Sequence, residues 1–416
     1  MNPVLKTVTV PLVIASGLFL GYMGRDFQKG DFTMSALTSA LRKQEPTKVD
    51  PAELFKGAYQ DIETSYYRSL DPIELKYHAM EGAMASLGDP HTVFMNPKFT
   101  EDFLKETRGS ATYAGIGARL SGDTQGAKLA TVFKGSPASA GGLQPGDIIV
   151  AVGATKVAGM EIDKIVGLIK GPEGTRVKLT ILRPSSGKTL QLEIRRERIN
   201  IPTADGLILP GTRVAYVMVY GFAETTPKQF RSQIQDLDAQ GIDGLIIDLR
   251  GNPGGLLDSA AEMLGIFTEN KLVVRTVGRD YKEEPVYTPM NERMDLAYPV
   301  VVLVNEDSAS ASEIFAGVLR DYRLATLVGE HTYGKASVQR MFNLPDGAAA
   351  KVTIAKYFLP SGHDIMRKVD DEGGYISGGL KPDVEVKLNL GPNTMLGNPE
   401  RDNQLQKALE VIASKR

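Results

Sequence analysis

Three runs of apolar residues dominate the second half of the chain: Val214–Val219, 244–250 and Val300–Val304. Short β-branched runs of this kind are typical of strands buried on both faces. Apolar residues at helical spacing follow the first two runs, over 227–237 and 256–267. This alternation predicts a largely parallel sheet with right-handed crossovers, whose ligands bind near the carboxyl ends of the strands.

The first half begins with helical patterns over 51–66, 74–87 and 99–107, which predict a helical region over residues 51–108. The simplest interpretation of the first two is a packed helical hairpin, and an oligomerisation surface for a possible homo-oligomer is the alternative. A module follows over residues 109–197. Its pattern predicts a small sheet with one short helix, made of the segments 118–120, 130–133, 162–169, 177–182 and 190–194.

The end of the chain predicts a hairpin from the apolar segments 341–344 and 348–358, which flank Pro345-Asp346-Gly347. An amphipathic pattern over 404–412 predicts a closing helix in the C-terminal region 396–416.

The N-terminus carries eighteen uncharged, mostly apolar residues between Lys6 and Arg25. As a helix they would span about 27 Å, close to the hydrocarbon thickness of a membrane. We expect residues 1–30 to be an uncleaved signal anchor rather than a removed signal peptide, and residues 31–50 to be a polar tether. In either case the rest of the chain is expected to be extracytoplasmic, anchored to the membrane or secreted, on the periplasmic or cell-surface side.

Composition narrows the chemistry. The 416 residues allow two or three domains, and a formal net charge of −2 gives no electrostatic case for nucleic acid. The chain has no cysteine, which excludes thiol nucleophiles, thiolate metal sites and disulfides. It also has no HExxH or comparable ligand set, so we expect neither a metal nor another cofactor.

The third apolar run leads into a cluster of small residues, Ser308-Ala309-Ser310-Ala311-Ser312-Glu313, followed by apolar residues at helical spacing. A serine at such a strand-to-helix turn lies beside unpaired backbone N–H groups, which can receive a developing oxyanion. Ser310 is therefore a candidate nucleophile. The same residues also spell a capping box, with Ser310 at the N-cap and Glu313 at N3.

A catalytic serine needs a base, and Lys335 is the natural candidate. None of the four histidines lies in a GxSxG-type context, and His363 lies in a Pro-Ser-Gly loop where we expect no catalytic role. Gln339 shares a face with Lys335 at either helical or strand spacing. A lysine base must be neutral, so its pKa must be lowered by burial between the apolar strands. The alternative is an ordinary solvated lysine.

The N-x-x-S-A-S-A-S-E and G-K-x-S-V-Q clusters resemble the carboxy-terminal processing proteases, a Ser-Lys serine peptidase family. The resemblance implies that Ser310 is the nucleophile, Lys335 the general base and Gln339 the residue that orients the lysine. Ser308 and Ser312 would be structural neighbours. Asp307 departs from the family, which usually has glycine there, and its carboxylate could bias the lysine toward its charged form.

The D-L-R-x-N-P-G-G turn that follows the second run also resembles this family. The resemblance implies an oxyanion hole formed by the amide of Gly254 or Gly255 and the amide of Ala311. Phosphate binding is the alternative for a glycine turn, but the lysine-serine/threonine pair of a Walker motif is absent. Arg250 is expected to pair with a carboxylate rather than with substrate.

The S-P-A…G-L-x-P-G-D-x-I sequence of the module resembles a PDZ domain of the bacterial protease type. Such a domain binds the terminal carboxylate of a peptide with loop amides while the peptide adds a strand to the sheet edge. The matching loop is Ala114-Gly115-Ile116-Gly117, and Ala114 replaces a glycine of the family pattern.

The resemblance implies an α/β (mixed α+β) fold, with a ClpP/crotonase-like Ser-Lys peptidase core over residues 198–395 and a PDZ domain inserted in it. The implied function is a serine endopeptidase that acts on extracytoplasmic proteins near their C-termini, with protein or peptide substrates as partners. A regulatory partner is possible. Two alternatives remain open: a non-catalytic membrane-tethered PDZ adaptor and an acyl-CoA-handling enzyme.

Overall fold

The structure is a computed structural model and describes residues 50–110, 112–133, 135–200, 202–279, 282–370, 374–389 and 396–416. The chain divides into two units, of which the first is described over residues 50–76 and the second is Tyr77–Arg416. The expected anchor, residues 1–30, lies outside the described residues, as does the expected tether up to residue 49. No helix within the described ranges is long and apolar enough to cross a bilayer.

The two predicted N-terminal helices are confirmed as α1 (Pro51–Ser65) and α2 (Pro72–Ala85). Proline is the first residue of each, and the Asp50 carboxylate caps α1 by accepting the Ala52 N–H at 3.0 Å. Neither helix has a buried residue, and Phe55 of the apolar stripe is 53% exposed. The packing of the two helices stays a prediction, because helical spacing defines an apolar face without defining what covers it.

The module after α3 (Pro97–Thr107) is an antiparallel sheet with strand order β3-β4-β5-β7-β8, in which β6 pairs with β5. A separate ladder joins β2 to β9. Leu129, Ile149 and Ile181 are fully buried in its core, which explains the alternating pattern of its strands. The elements are β2 (Thr112–Gly115), β3 (Ala118–Asp123), β4 (Gly126–Val132), α4 (Pro137–Ala140), β5 (Ile148–Val152), β6 (Thr155–Lys156), α5 (Ile162–Ile169), β7 (Arg176–Arg183), β8 (Lys188–Arg195) and β9 (Glu197–Asn200).

The central sheet confirms the predicted parallel topology. Its order is β10-β11-β12-β15-β16-β21, and every neighbouring pair is parallel except β10–β11. The strands are β10 (Ala204–Ile208), β11 (Val214–Val219), β12 (Gly244–Asp248), β15 (Val300–Val304), β16 (Thr326–Gly329) and β21 (Val384–Glu385). The helices that accompany them are α6 (Thr226–Asp238), α7 (Leu257–Gly265), α8 (Ala311–Asp321) and α9 (Asn403–Ser414).

Both faces of this sheet are covered, which is why its strands read as continuous apolar runs. Ile247 and Val302 pack with Phe315 in one core, on the face of α6, α7 and α8. Ile246 and Val301, their alternates along the strands, pack with α9 in a second core.

A second, antiparallel sheet was not predicted as a sheet. Its order is β1-β18-β13-β14, and β17 pairs with β18. The strands are β1 (Val93–Met95), β13 (Leu272–Gly278), β14 (Glu283–Tyr287), β17 (Ser337–Asn343) and β18 (Ala349–Phe358); a short ladder of β19 (Lys368–Val369) and β20 (Tyr375–Ser377) follows. Because β1 precedes the module and pairs with β18 after it, the module is inserted in the surrounding fold.

A buried ionic cluster joins the end of β12 to the start of α9. The Arg250 guanidinium lies 2.6 Å from the Asp248 carboxylate and 2.7 Å from that of Asp402, and all three side chains are at most 1% exposed. Gln404 accepts from Arg250 at 2.9 Å, and the Tyr216 hydroxyl donates to Asp248 at 2.6 Å. The expectation that Arg250 pairs with a carboxylate is confirmed.

Replacing Arg250 with methionine should destabilise the protein by about 3–5 kcal/mol, because two buried carboxylates lose their counter-charge. The control is Arg213→Met, which breaks an ion pair whose arginine is 71% exposed and should cost about 1 kcal/mol or less. Chemical unfolding followed by circular dichroism measures both changes. Equal losses in the two variants would contradict this account of the cluster.

Candidate active site

The turn between β15 and α8 holds Ser310 in a strained conformation. Its φ is 57° and its ψ is −117°, a region that residues other than glycine rarely adopt and that is common at functional sites. The flanking serines hold the turn in place: Ser308 Oγ donates to the Leu249 carbonyl at 2.8 Å, and Ser312 Oγ donates to the Asn252 carbonyl at 2.9 Å. The turn after β15 is thus fixed to the glycine turn after β12.

The Glu313 carboxylate connects the two predicted catalytic residues through their backbones. Its Oε2 accepts the N–H of Ser310 at 2.9 Å and the N–H of Lys335 at 2.8 Å. Its Oε1 accepts the Gly334 N–H at 2.7 Å and the Thr332 hydroxyl at 2.5 Å. Burial raises the pKa of Glu313, while these four hydrogen bonds act in the opposite direction.

The Tyr357 hydroxyl forms a second bridge between Ser310 and Lys335, through their backbone carbonyl oxygens. It donates to the Lys335 carbonyl at 2.5 Å and lies 3.4 Å from the Ser310 carbonyl. Burial, with a smaller contribution from the Glu313 charge, raises the pKa of this phenol well above its usual value. The hydroxyl therefore stays protonated and remains a donor.

The Lys335 side chain is half-buried, and among the described residues its Nζ has no hydrogen-bond partner. Burial lowers the pKa of Lys335, and so does the positive charge of Lys351. The carboxylates of Asp89 and Glu313 act in the opposite direction, but the net direction is downward. The pKa of Lys335 is therefore lowered, as expected, and burial is the main cause.

Gln339 lies in β17, just after a bulge between Val338 and Gln339. Its Nε2 donates to Ser337 Oγ at 2.8 Å and to Thr353 Oγ1 at 3.3 Å. These bonds orient the carboxamide and leave Oε1 as its acceptor, which is the atom that an ammonium group requires. The lysine-orienting role of Gln339 stays a prediction.

The sequence offered two candidates in the glycine turn, Gly254 and Gly255, for the amide that would form an oxyanion hole with Ala311. The Gly254 N–H already donates to Asn252 Oδ1 at 2.9 Å. The Gly255 N–H makes no hydrogen bond to any described residue, and Ala311, as the first residue of α8, has an N–H without an intrahelical partner. Between Gly254 and Gly255, the geometry favours Gly255 as the donor beside Ala311.

Gly254 is required for close contact rather than for donation. Its φ is +99°, and a Cβ built on it would lie 2.6 Å from the Ala309 carbonyl oxygen and 2.8 Å from Ser310 Cβ. Only a residue without a side chain allows the two turns to approach this closely.

Two further sequence features lie away from this chemistry. Asp307 is exposed, with Oδ2 3.3 Å from Asn305 Nδ2, and its charge is not among the influences on the pKa of Lys335. His363 and Asp364 are exposed on the loop after β18, and Asp364 caps the Met366 N–H at 2.9 Å.

In the module, the predicted peptide-binding loop leads from β2 into β3. Ala114 and Gly115 pair with β9, and Ile116 is buried. The Ile116 carbonyl accepts from Ala138 N at 2.8 Å and the Gly117 carbonyl accepts from Phe133 N at 3.0 Å, which fixes the loop. Among the described residues the following strand, β3, is an edge strand of its sheet, and an edge strand is where a peptide can add as a further strand.

Sequence reasoning missed four residues at this site. Glu313 was recognised only as a capping residue, and Tyr357 and Lys351 as ordinary members of a hairpin. Asp89 follows the second predicted helix at a Gly-Asp-Pro turn, and the turn gives no sign that its side chain lies near Lys335. Asp89 Oδ1 accepts the His91 N–H at 3.0 Å, and the segment lies beside Lys335.

Comparisons with known proteins place this geometry in a family. Residues 213–386 match the model of peptidase family S41, and residues 130–183 match a PDZ domain. The chain is 32% identical to the carboxy-terminal processing protease CtpA of Bacillus subtilis over 92% of this chain and 76% of that protein. It is 34% identical to the carboxyl-terminal-processing protease of Synechocystis over 83% and 78%, respectively.

A solved structure assigned to the S41 proteases, from Bacteroides fragilis, shares the fold with a TM-score of 0.59 at 18% identity, covering 89% of this chain and 99% of that one. The class defined by the fold and the matched models is therefore a serine-type peptidase with a PDZ domain. Within it, the chain belongs to the carboxy-terminal processing proteases.

Substituting Gly254 with alanine should lower peptidase activity by about 10²-fold, because the added Cβ displaces the turn that carries Ser310. Gly251→Ala is the matched control: its φ is +71°, but a Cβ there meets no atom within 4 Å. That control should lose about 1–2 kcal/mol of stability and keep its activity. Rates of peptide cleavage measure the difference, and similar activity in both variants would contradict the close-contact role.

Proposed function

We propose that this chain is an extracytoplasmic serine endopeptidase that cleaves proteins near their C-termini with a Ser310–Lys335 dyad. A single observation carries the proposal: Glu313 Oε2 binds the backbone N–H groups of both residues, at 2.9 Å and 2.8 Å. Two motifs that are separate in sequence are thereby held at one carboxylate.

In the proposed reaction, Ser310 Oγ attacks the peptide carbonyl while Lys335 Nζ accepts its proton. The lysine then donates this proton to the leaving amine, and water hydrolyses the acyl-enzyme by the same route. Burial supports the role of base because it lowers the pKa of Lys335. The Gln339 carboxamide is proposed to orient the lysine.

The charge that develops on the substrate oxygen needs donors that are not already in use. The Gly255 and Ala311 N–H groups meet this condition, whereas the Gly254 N–H is bound to Asn252. We therefore assign the oxyanion hole to Gly255 and Ala311, with Gly254 as the residue that lets the two turns approach.

Substrate capture is assigned to the PDZ domain. The loop Ala114-Gly115-Ile116-Gly117 precedes the free edge of β3, and α5 packs beside that strand. A peptide that adds to this edge would place its terminal carboxylate at the loop amides. The apolar N-terminal segment supports membrane anchoring with the peptidase on the extracytoplasmic side.

Ser310→Ala and Lys335→Ala should each reduce the cleavage of an unfolded protein with an apolar C-terminus by ~10³-fold or more, because each removes a member of one catalytic unit. Lys356→Ala, an exposed lysine of β18, should retain wild-type activity. Gel-based cleavage with the full-length chain in detergent micelles provides the measurement.

Cleavage by all three variants would show that Ser310 is not the nucleophile. Peptide binding by an inactive wild-type chain, with no reaction of Ser310 toward a fluorophosphonate probe, would instead support the adaptor function.

The PDZ assignment predicts a dependence on the substrate carboxylate. Amidation of the C-terminus of a peptide should weaken its binding to the Ser310→Ala chain by about tenfold or more, because the loop amides lose a charged acceptor. Fluorescence anisotropy of the paired free-acid and amidated peptides tests this directly. Equal affinities would refute capture through the terminal carboxylate.

A further inference from the structure

Lys351 occupies an unusual place for a lysine, half-buried in the middle of the second sheet. In the β17–β18 ladder it lies opposite Met341, and Thr353 lies opposite Gln339. Residues two apart on a strand share a face, so Lys351 lies on the same face as Thr353, whose hydroxyl contacts Gln339. The segment before β1 joins this part of β18 to the loop of Lys335: Thr92 Oγ1 accepts the Thr353 N–H at 3.0 Å, and the His91 ring lies 6.5 Å from that of Tyr333, two residues before Lys335.

The Lys351 ammonium is held over an aromatic ring. Its Nζ lies 5.2 Å from the ring centroid of Phe103 in α3. A ring in this position stabilises the charged form of a lysine. Burial lowers the pKa of Lys351. The ring acts against burial, because it favours the protonated form of the lysine.

Three other ionisable groups lie around Lys335. Asp89 and His91 lie in the segment before β1, and Glu313 lies in α8. The two carboxylates favour a charged Lys335. Burial, followed by the charge of Lys335, lowers the pKa of His91, so the imidazole adds no cation at neutral pH.

Lys351 is therefore the cation that opposes these two carboxylates. Its charge acts on the pKa of Lys335 in the same direction as burial. The repulsion between two ammonium groups is mutual, and the Phe103 ring favours keeping the charge on Lys351.

We propose that Lys351 is a positioning residue whose positive charge keeps Lys335 in its neutral, proton-accepting form. The inference rests on the proposed function, because it assumes that Lys335 is the base. It assigns no contact with substrate to Lys351. Phe103 holds the ammonium in place, and β18 holds it on the face that Thr353 and Gln339 share.

The test is the pH dependence of kcat/KM, which reports the ionisation of the free enzyme. The full-length chain in detergent micelles and an internally quenched peptide with an apolar C-terminal residue are used. Lys351→Met keeps the apolar stem and removes the charge, Lys351→Arg keeps the charge, and Lys356→Met removes an exposed charge from the same strand.

Without the Lys351 charge, the pKa of Lys335 rises, so the neutral base forms only at higher pH. The ascending limb of Lys351→Met should therefore move to higher pH. Its kcat/KM should fall severalfold on that limb and match wild type on the plateau. Lys351→Arg and Lys356→Met should superimpose on wild type. The rate at which a fluorophosphonate labels Ser310 should shift in the same way, without any contribution from substrate binding.

An unshifted limb in Lys351→Met, together with an inactive Lys335→Ala, overturns this inference and leaves the dyad intact. A raised KM with an unshifted limb also overturns it, in favour of a substrate-binding role. Full activity in Lys335→Ala overturns the proposed function itself, and this inference with it.

Discussion

A buried carboxylate, that of Glu313, is the interaction on which the site depends. Its side chain is fully buried, and burying a carboxylate without partners would cost several kcal/mol. Four donors surround it, two on each oxygen. The Thr332 hydroxyl among them accepts the Leu380 N–H at 2.6 Å and donates its own proton to Glu313. An ionised carboxylate can accept from all four donors, and these bonds fix the loop before β17 against the start of α8.

Hydrogen bonds around Ser310 also offset its backbone strain. A φ of 57° is unfavourable for serine, but its N–H is bound by Glu313 and its two neighbouring serines are bound to the glycine turn. Strain of this kind persists only where the surroundings leave no alternative. The sharp turn exposes Ser310 at the end of β15, where the parallel strands present their carboxyl ends.

The local sequence pattern was sufficient to predict the strands and helices of the central sheet. A continuous apolar run indicates a buried strand, and an apolar stripe at helical spacing indicates a helix. Val214–Val219 and Val300–Val304 are strands with the predicted limits. The antiparallel sheet could not be predicted in this way. Its pairs, such as Val93 with Lys351, join residues that are far apart in the sequence and depend on the insertion of a whole module between them.

For the site, the sequence provided the residue types but not their connections. Ser310-Ala311-Ser312-Glu313 correctly indicated a cap, and the Glu313 side chain does accept the Ser310 N–H. What spacing could not reveal is that the same oxygen also accepts from Lys335. The choice between Gly254 and Gly255 likewise depended on the Asn252 side chain, which occupies one of the two amides.

The insertion of the PDZ domain has a physical consequence for the lysine. Burial raises the pKa of Asp89, but hydrogen bonds from Thr353, Thr92 and the His91 N–H outweigh it, so the carboxylate stays ionised. Thr92 Oγ1 in turn accepts the Thr353 N–H at 3.0 Å. The segment that precedes the inserted domain thus reaches the strand that contacts Gln339. Because Asp89 favours the charged form of Lys335 and Lys351 opposes it, the proton affinity of Lys335 depends on chain segments from both sides of the PDZ domain.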